Sequence, residues 1–141
     1  MDSSYQKHVF IKGGMRSLLR LESLALLASA LFAFAALHAN WWLFAALFLV
    51  PDLTFAAYWA GPRRGAIAYN ALHSYLGPAL LCLIAFAAHR PAVLPIALIW
   101  TAHISFDRAL GYGLKYFSAF GDTHLGQLRR NSNPELHAHT A

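Results

Sequence analysis

Charge is what this sequence has least of. Only 12% of its 141 residues are charged, against 58% hydrophobic, where a soluble domain usually carries about 25% charged side chains. Residues 23–106 hold four charges, Asp52, Arg63, Arg64 and Arg90. So few cannot cover the surface of a water-soluble domain, which excludes an ordinary cytosolic enzyme, a disordered chain and a nucleic-acid binder. Cysteine is nearly absent too. The single Cys82 allows no disulfide framework or cysteine metal cluster within one chain, and it reads as a small buried apolar residue. Alternating strand patterns are missing as well, so no barrel can satisfy the backbone in lipid and only helices remain.

What is present is long apolar runs. A hydrocarbon layer of ~30 Å takes roughly 20 residues of helix, and four segments are that long: 18–39, 41–60, 65–89 and 91–116. Asn40, the run Gly61-Pro62-Arg63-Arg64 and the run His89-Arg90-Pro91 separate them. Connections this short make neighbouring helices antiparallel. The expected fold is an all-α membrane protein, an antiparallel four-helix bundle over 18–126, with a polar segment at 1–17 and a disordered tail at 127–141. A cleaved signal peptide is the competing interpretation of the N-terminus; the length of the apolar run and the unsuitable Leu37 favour a retained first helix. Ala25, Ser29 and Ala33 give that helix a stripe of small residues suited to close packing.

The net charge is +5, but it is no nucleic-acid footprint. All the basic residues except Arg90 fall before the first span, in the loop after the second, or at and beyond the end of the fourth. Positive residues mark the cytoplasmic side, so both termini are expected there, with Trp41 and Trp42 at the outer interface and Trp59 at the inner one.

Ionisable groups within spans are costly and usually functional. Asp52, His73, His103 and Asp107 are such groups. At a rise of ~1.5 Å per residue, Asp52, His73 and His103 all lie about 12–13 Å from the cytoplasmic face, and Asp107 one turn nearer. His103 and Asp107, four apart, share a helix face. Two imidazoles and two carboxylates converging in an apolar layer suit a divalent metal, Zn, Fe or Mn. Asn70 and Ser74, on the face of His73 and Gly77, are candidate supporting donors or substrate contacts. Arg108 and Lys115, with Arg63 and Arg64, can rim the site for an anionic headgroup; alternatively they are orientation anchors, with Arg108 paired to Asp107 or Asp122. His124 can fold back as an acid/base or a further ligand, or it is a surface histidine. His38 and His89 read as solvated interfacial residues, and His137 and His139 as part of a loose tail.

The runs Pro51-Asp52-Leu53, Ala60-Gly61-Pro62-Arg63, Gly65-Ala66-Ile67-Ala68-Tyr69-Asn70 with His73 and Gly77-Pro78, Ala102-His103 through Asp107-Arg108 to Tyr116, and Thr123-His124-Leu125-Gly126 resemble a small bacterial membrane family catalogued as a domain of unknown function, DUF4260. The resemblance spans about 18–126. It implies a four-helix integral membrane protein of the bacterial cytoplasmic (inner) membrane, supplies no activity, and groups Asp52, Asn70, His73, His103, Asp107, Arg108 and His124. A looser analogy runs to membrane-bound metal-dependent hydrolases.

The expected function is a membrane-embedded metal-dependent hydrolase of a lipid or amphiphile. Asp52, His73, His103 and Asp107 hold the ion, His124 or Asp107 moves protons, and Asn70, Arg108 and Lys115 orient the headgroup. The alternatives are a proton or ion pathway, a helix scaffold in which the polar groups only pair with one another, and a bis-histidine haem protein. A unit this small also suits a homo-oligomer.

Overall fold

The computed structural model describes residues 3–114, with side chains from Gly14 onward, and the backbone of 122–123 and 126–127. Helix α1 (Ser3–Ala36) is followed by α2 (Trp41–Phe48) and a 3-10 helix over Val50–Ala60. Helices α3 (Pro62–Leu72) and α4 (Leu76–Ala87) come next. A short 3-10 turn (Pro91–Val93) then leads into α5 (Leu94–Leu110). These make four segments long and apolar enough to cross a membrane: Gly14–Ala36, Trp41–Ala60, Pro62–Ala87 and Pro91–Leu110. The domain is an all-helical integral membrane protein. Beyond it, strands β1 (Asp122–Thr123) and β2 (Gly126–Gln127) pair antiparallel.

The elements start and stop for local reasons. Asn40 caps α2, its side chain accepting from the Trp42 amide at 2.8 Å. Gly61 and Gly111 take positive φ angles of 110° and 99°, where a side chain is disfavoured; Gly111 ends α5 and Gly61 alone joins the second span to the third. His38 and His89, at φ near 50°, turn the chain at the ends of the first and third spans, and both are exposed. Helix α1 begins at Ser3, well before residue 18, so the segment expected to be polar and separate is helical from Ser3 onward.

Spans two and three are not the unbroken helices that their hydropathy suggests. Pro51 lacks an amide hydrogen and its ring collides with the carbonyl four residues back, so α2 stops at Phe48 and the chain tightens into eleven residues of 3-10 helix. Such a run is unusually long. Pro78 acts the same way on the third span: α3 ends at Leu72, and α4 restarts at Leu76.

Helix α5 is the hub. It packs on α1, α2 and α4, while the 3-10 helix packs on α3. The buried core includes Ala30 and Phe34 of α1, Tyr69 of α3, and Ala97, Ile99, Ala102 and Ile104 of α5. The packed face of α1 is therefore the one carrying Ser23, Ala30 and Phe34, not the expected stripe. Ala25 and Ser29 are exposed and Ala33 half-buried. The bulk of Phe34 is accommodated because Trp41 and Phe44 close around it, edge-on at 5.0 and 5.2 Å between centroids. Arg20 of α1 donates through Nε to the Ala109 carbonyl at 2.7 Å, satisfying a C-terminal carbonyl of α5.

Candidate metal centre

The two helix breaks and α5 meet at one place. Asp52 stands in the first turn of the 3-10 helix, His73 is the C-terminal cap of α3, and His103 and Asp107 lie one turn apart on α5. The ligand-capable atoms of all four lie within 4.8 Å of one another. The two histidine Nε2 atoms are 3.1 Å apart. Asp52 Oδ1 is 3.4 Å from His73 Nε2 and 3.5 Å from His103 Nε2. Asp107 Oδ2 is 3.5 Å and 3.9 Å from the same nitrogens. Bonds of about 2.0–2.2 Å from a zinc-type ion to nitrogen and oxygen set tetrahedral edges of about 3.3–3.6 Å; three of these five spacings fall in that range and the 3.1 and 3.9 Å ones lie to either side of it.

The protonation pattern points the same way. His73 Nδ1 lies 2.9 Å from the Tyr69 carbonyl, which only accepts, so Nδ1 carries the proton and a neutral His73 turns the bare lone pair of Nε2 inward. This backbone-anchored tautomer is the usual arrangement of a metal-ligating histidine. The His103 ring is wedged edge-on against Phe48, 5.3 Å away, and its Nδ1 is buried with no hydrogen-bond partner among the described residues. The histidine side chains are almost fully enclosed, while Asp52 keeps one third of its surface and Asp107 about one sixth. The centre is therefore approached past Asp52.

A supporting layer surrounds these four. The Tyr69 ring stacks on His73 at 3.7 Å between centroids, and its hydroxyl donates to Asp107 Oδ2 at 3.3 Å. Sequence reasoning did not single out Tyr69, because a tyrosine in an apolar span reads as core; its place four residues before His73 was the available signal. The break after α3 frees carbonyls that lipid cannot satisfy. Trp100 Nε1 donates to the Leu72 carbonyl at 2.6 Å, and the Arg108 guanidinium reaches the His73 carbonyl at 3.5 Å while lying 4.3 Å over the Tyr75 ring. The Tyr75 hydroxyl in turn pairs with Ser105 at 3.0 Å. Trp100, His103 and Asp107, spaced three and four residues apart, thus share one face of α5, with Arg108 beside it.

Of the other expected site residues, Asn70 is half-buried on α3, outside the four-atom group. Ser74 bonds to the Ala71 carbonyl at 3.4 Å. Arg63 and Arg64 are exposed on the first turn of α3. Lys115 and His124, His137 and His139, and the expected tail at 127–141 apart from Gln127 lie outside the described residues. Beside the centre, on the side away from Arg108, lies a cavity of about 280 Å³.

A family model described as a domain of unknown function (DUF4260) matches residues 16–128. No curated protein and no solved structure matches the chain.

Proposed function

The chain belongs to the DUF4260 family, which carries no defined activity, and from that premise we propose that it is a membrane-embedded metal-dependent hydrolase. The substrate is an amphiphile that enters from the cytoplasmic leaflet of a bacterial inner membrane, on the side of both termini. The observation that carries this is the convergence of two histidine nitrogens and two carboxylate oxygens within 4.8 Å of one another, with Asp52 exposed enough to leave room for water as a further ligand. A bound divalent ion supplies Lewis acidity and makes water nucleophilic near neutral pH. Zinc, iron and manganese all suit two imidazoles and two carboxylates.

The chain's own groups then have distinct tasks. His73 and His103 present Nε2, and the Tyr69 carbonyl holds His73 in the required tautomer. Asp52, the most open ligand, borders the entry of water and substrate. Asp107, steadied by the Tyr69 hydroxyl, is placed to accept a proton, a task it shares with His124. Asn70, Arg108 and Lys115 orient the headgroup. Arg108 has five N–H donors, of which the His73 carbonyl engages one.

A second reading is favoured by one observation. The two aspartates balance the charge of a divalent ion, and the set sits where two spans are interrupted, the setting in which transporters hold ions. An ion pathway would use the same residues without hydrolysis.

Elemental analysis of protein purified in metal-replete buffer separates these outcomes. One ion per chain, lost in His73→Ala and in His103→Ala, is expected. Ion-free wild-type protein would overturn the centre and leave four groups that merely pair. Chelator-sensitive cleavage of medium-chain nitrophenyl esters in nanodiscs supports the hydrolase, whereas ion flux into proteoliposomes without cleavage supports the pathway.

A further inference from the structure

The cavity beside the centre is the feature that the four-ligand set leaves unexplained. It is half open and is lined by Leu47, Pro51, Leu72, Leu81, Ile99 and Trp100, among others, so three spans contribute to it. Three of its lining residues neighbour the centre along the chain. Pro51 directly precedes Asp52, Leu72 directly precedes His73, and Ile99 lies one turn before His103 on the same face of α5. One turn of helix is ~5.4 Å, so the cavity begins within a side chain's reach of the ligand atoms. The arrangement is directional along α5: Arg108 and Asp107 on one side of His103, the apolar walls of Ile99 and Trp100 on the other. The indole nitrogen of Trp100 is committed to the Leu72 carbonyl, so only its hydrocarbon surface is left for the cavity.

The volume of about 280 Å³ is nearly twice the ~150 Å³ of an engineered apolar cavity that holds one benzene ring. Space of this size takes roughly ten carbons. An apolar groove of that capacity, beside a cluster of ionisable groups, matches a molecule with a single hydrocarbon chain and one polar end.

We propose that this cavity is the chain-binding subsite of the centre: it takes one unbranched alkyl chain of about ten carbons and presents the attached polar group to His73, His103, Asp52 and Asp107. The substrate class is therefore a single-chain, medium-length amphiphile, such as an acyl ester or an alkyl phosphate, and not an intact two-chain phospholipid. This rests on the metal-centre reading for what happens to the polar end; the cavity itself does not depend on it.

The test uses Trp100 as a reporter. In full-length protein with Trp41, Trp42 and Trp59 replaced by phenylalanine, Trp100 is the sole fluorophore. The protein is placed in nanodiscs of plain lipid and titrated with 9,10-dibromodecanoate, whose bromines quench a neighbouring indole. Saturable quenching with one probe per chain is expected. Leu81→Phe, which narrows the cavity away from the ligands, is expected to weaken it at least tenfold while the ion content stays at the wild-type level. Loading with zinc is expected to tighten the carboxylate probe about tenfold and to leave the matching dibromodecane unchanged.

Quenching that rises without saturation and is the same in Leu81→Phe would overturn the subsite, since it shows only bulk lipid brushing the indole. Saturable quenching that ignores zinc in protein shown to have bound one ion per chain would separate the cavity from the centre and overturn its role in presenting a headgroup. A wild-type chain that binds no ion yet shows saturable, Leu81-sensitive quenching would defeat the metal reading alone.

Discussion

Gly77 shows how closely the third and fourth spans approach. A Cβ at this position would collide with the six-membered ring of Trp100, and that ring cannot withdraw without breaking the bond from its Nε1 to the Leu72 carbonyl. Gly77→Ala is therefore expected to destabilise the fold by about 1–3 kcal/mol, the usual cost of overpacking, and to lower the thermal midpoint of the purified protein. An unchanged midpoint would mean that the contact is not tight. At this same scale the candidate centre was largely legible in the sequence. Scarcity of charge made Asp52 and Asp107 conspicuous, and a shared depth drew in His73 and His103. Tyr69 was not legible, since nothing in its residue type distinguishes a stacking, hydrogen-bonding tyrosine from a filler of apolar space. Nor was the engagement of Arg108, because the carbonyl it reaches exists as a free acceptor only once the helix has broken.

At the scale of elements, the two interruptions are what create the site. In an unbroken α-helix the His73 and Leu72 carbonyls would be consumed by amides four residues on; here side chains of α5 take them. Arg108→Ala removes the guanidinium from the His73 carbonyl and from the Tyr75 ring. The expected outcome is a stability loss of about 1–3 kcal/mol, as for an unsatisfied polar group, with ion affinity reduced about 10- to 100-fold as the support of His73 slackens. Denaturation and competitive chelation measure the two effects separately. A variant that loses affinity for a headgroup-bearing substrate while keeping both would restore the purely substrate-orienting role. The sequence did carry signals for the breaks, Pro51 and Gly77-Pro78, but hydropathy averaged over twenty residues passes through them. Periodicity finds a span; it does not show whether the span is one helix or two.

For the whole molecule, an even number of spans returns the chain to the side from which it started. With ten of eleven basic residues expected on that side, both termini are predicted to face the cytoplasm. Cytoplasm-active and periplasm-active reporters fused after residue 141 check this: activity only from the former is expected, and activity from the latter would invert the assignment. The four-span plan was legible because lipid imposes one requirement, some twenty apolar residues, that composition alone can meet. The packing of those spans was less so. Ala25 and Ser29 suggested the contact face of α1, yet the bulky Phe34 lies in the core because two aromatic rings close around it, and such complementarity belongs to a pair of surfaces, not to one segment.

The single residue Gly61 between the second and third spans has a consequence for biosynthesis. An aspartate near the middle of a helix costs about 2.5–3.5 kcal/mol to place in a bilayer, and Asp52 sits near the middle of the second span. The Gly61 joint, though, is too short for that span to settle long before the third emerges beside it. The two must leave the insertion machinery together, as one hairpin, with His73 arriving as the first partner that Asp52 meets. Only later does α5 bring His103 and Asp107, so the nascent chain acquires its polar cluster in two deliveries, and the fourth span is the one that closes it.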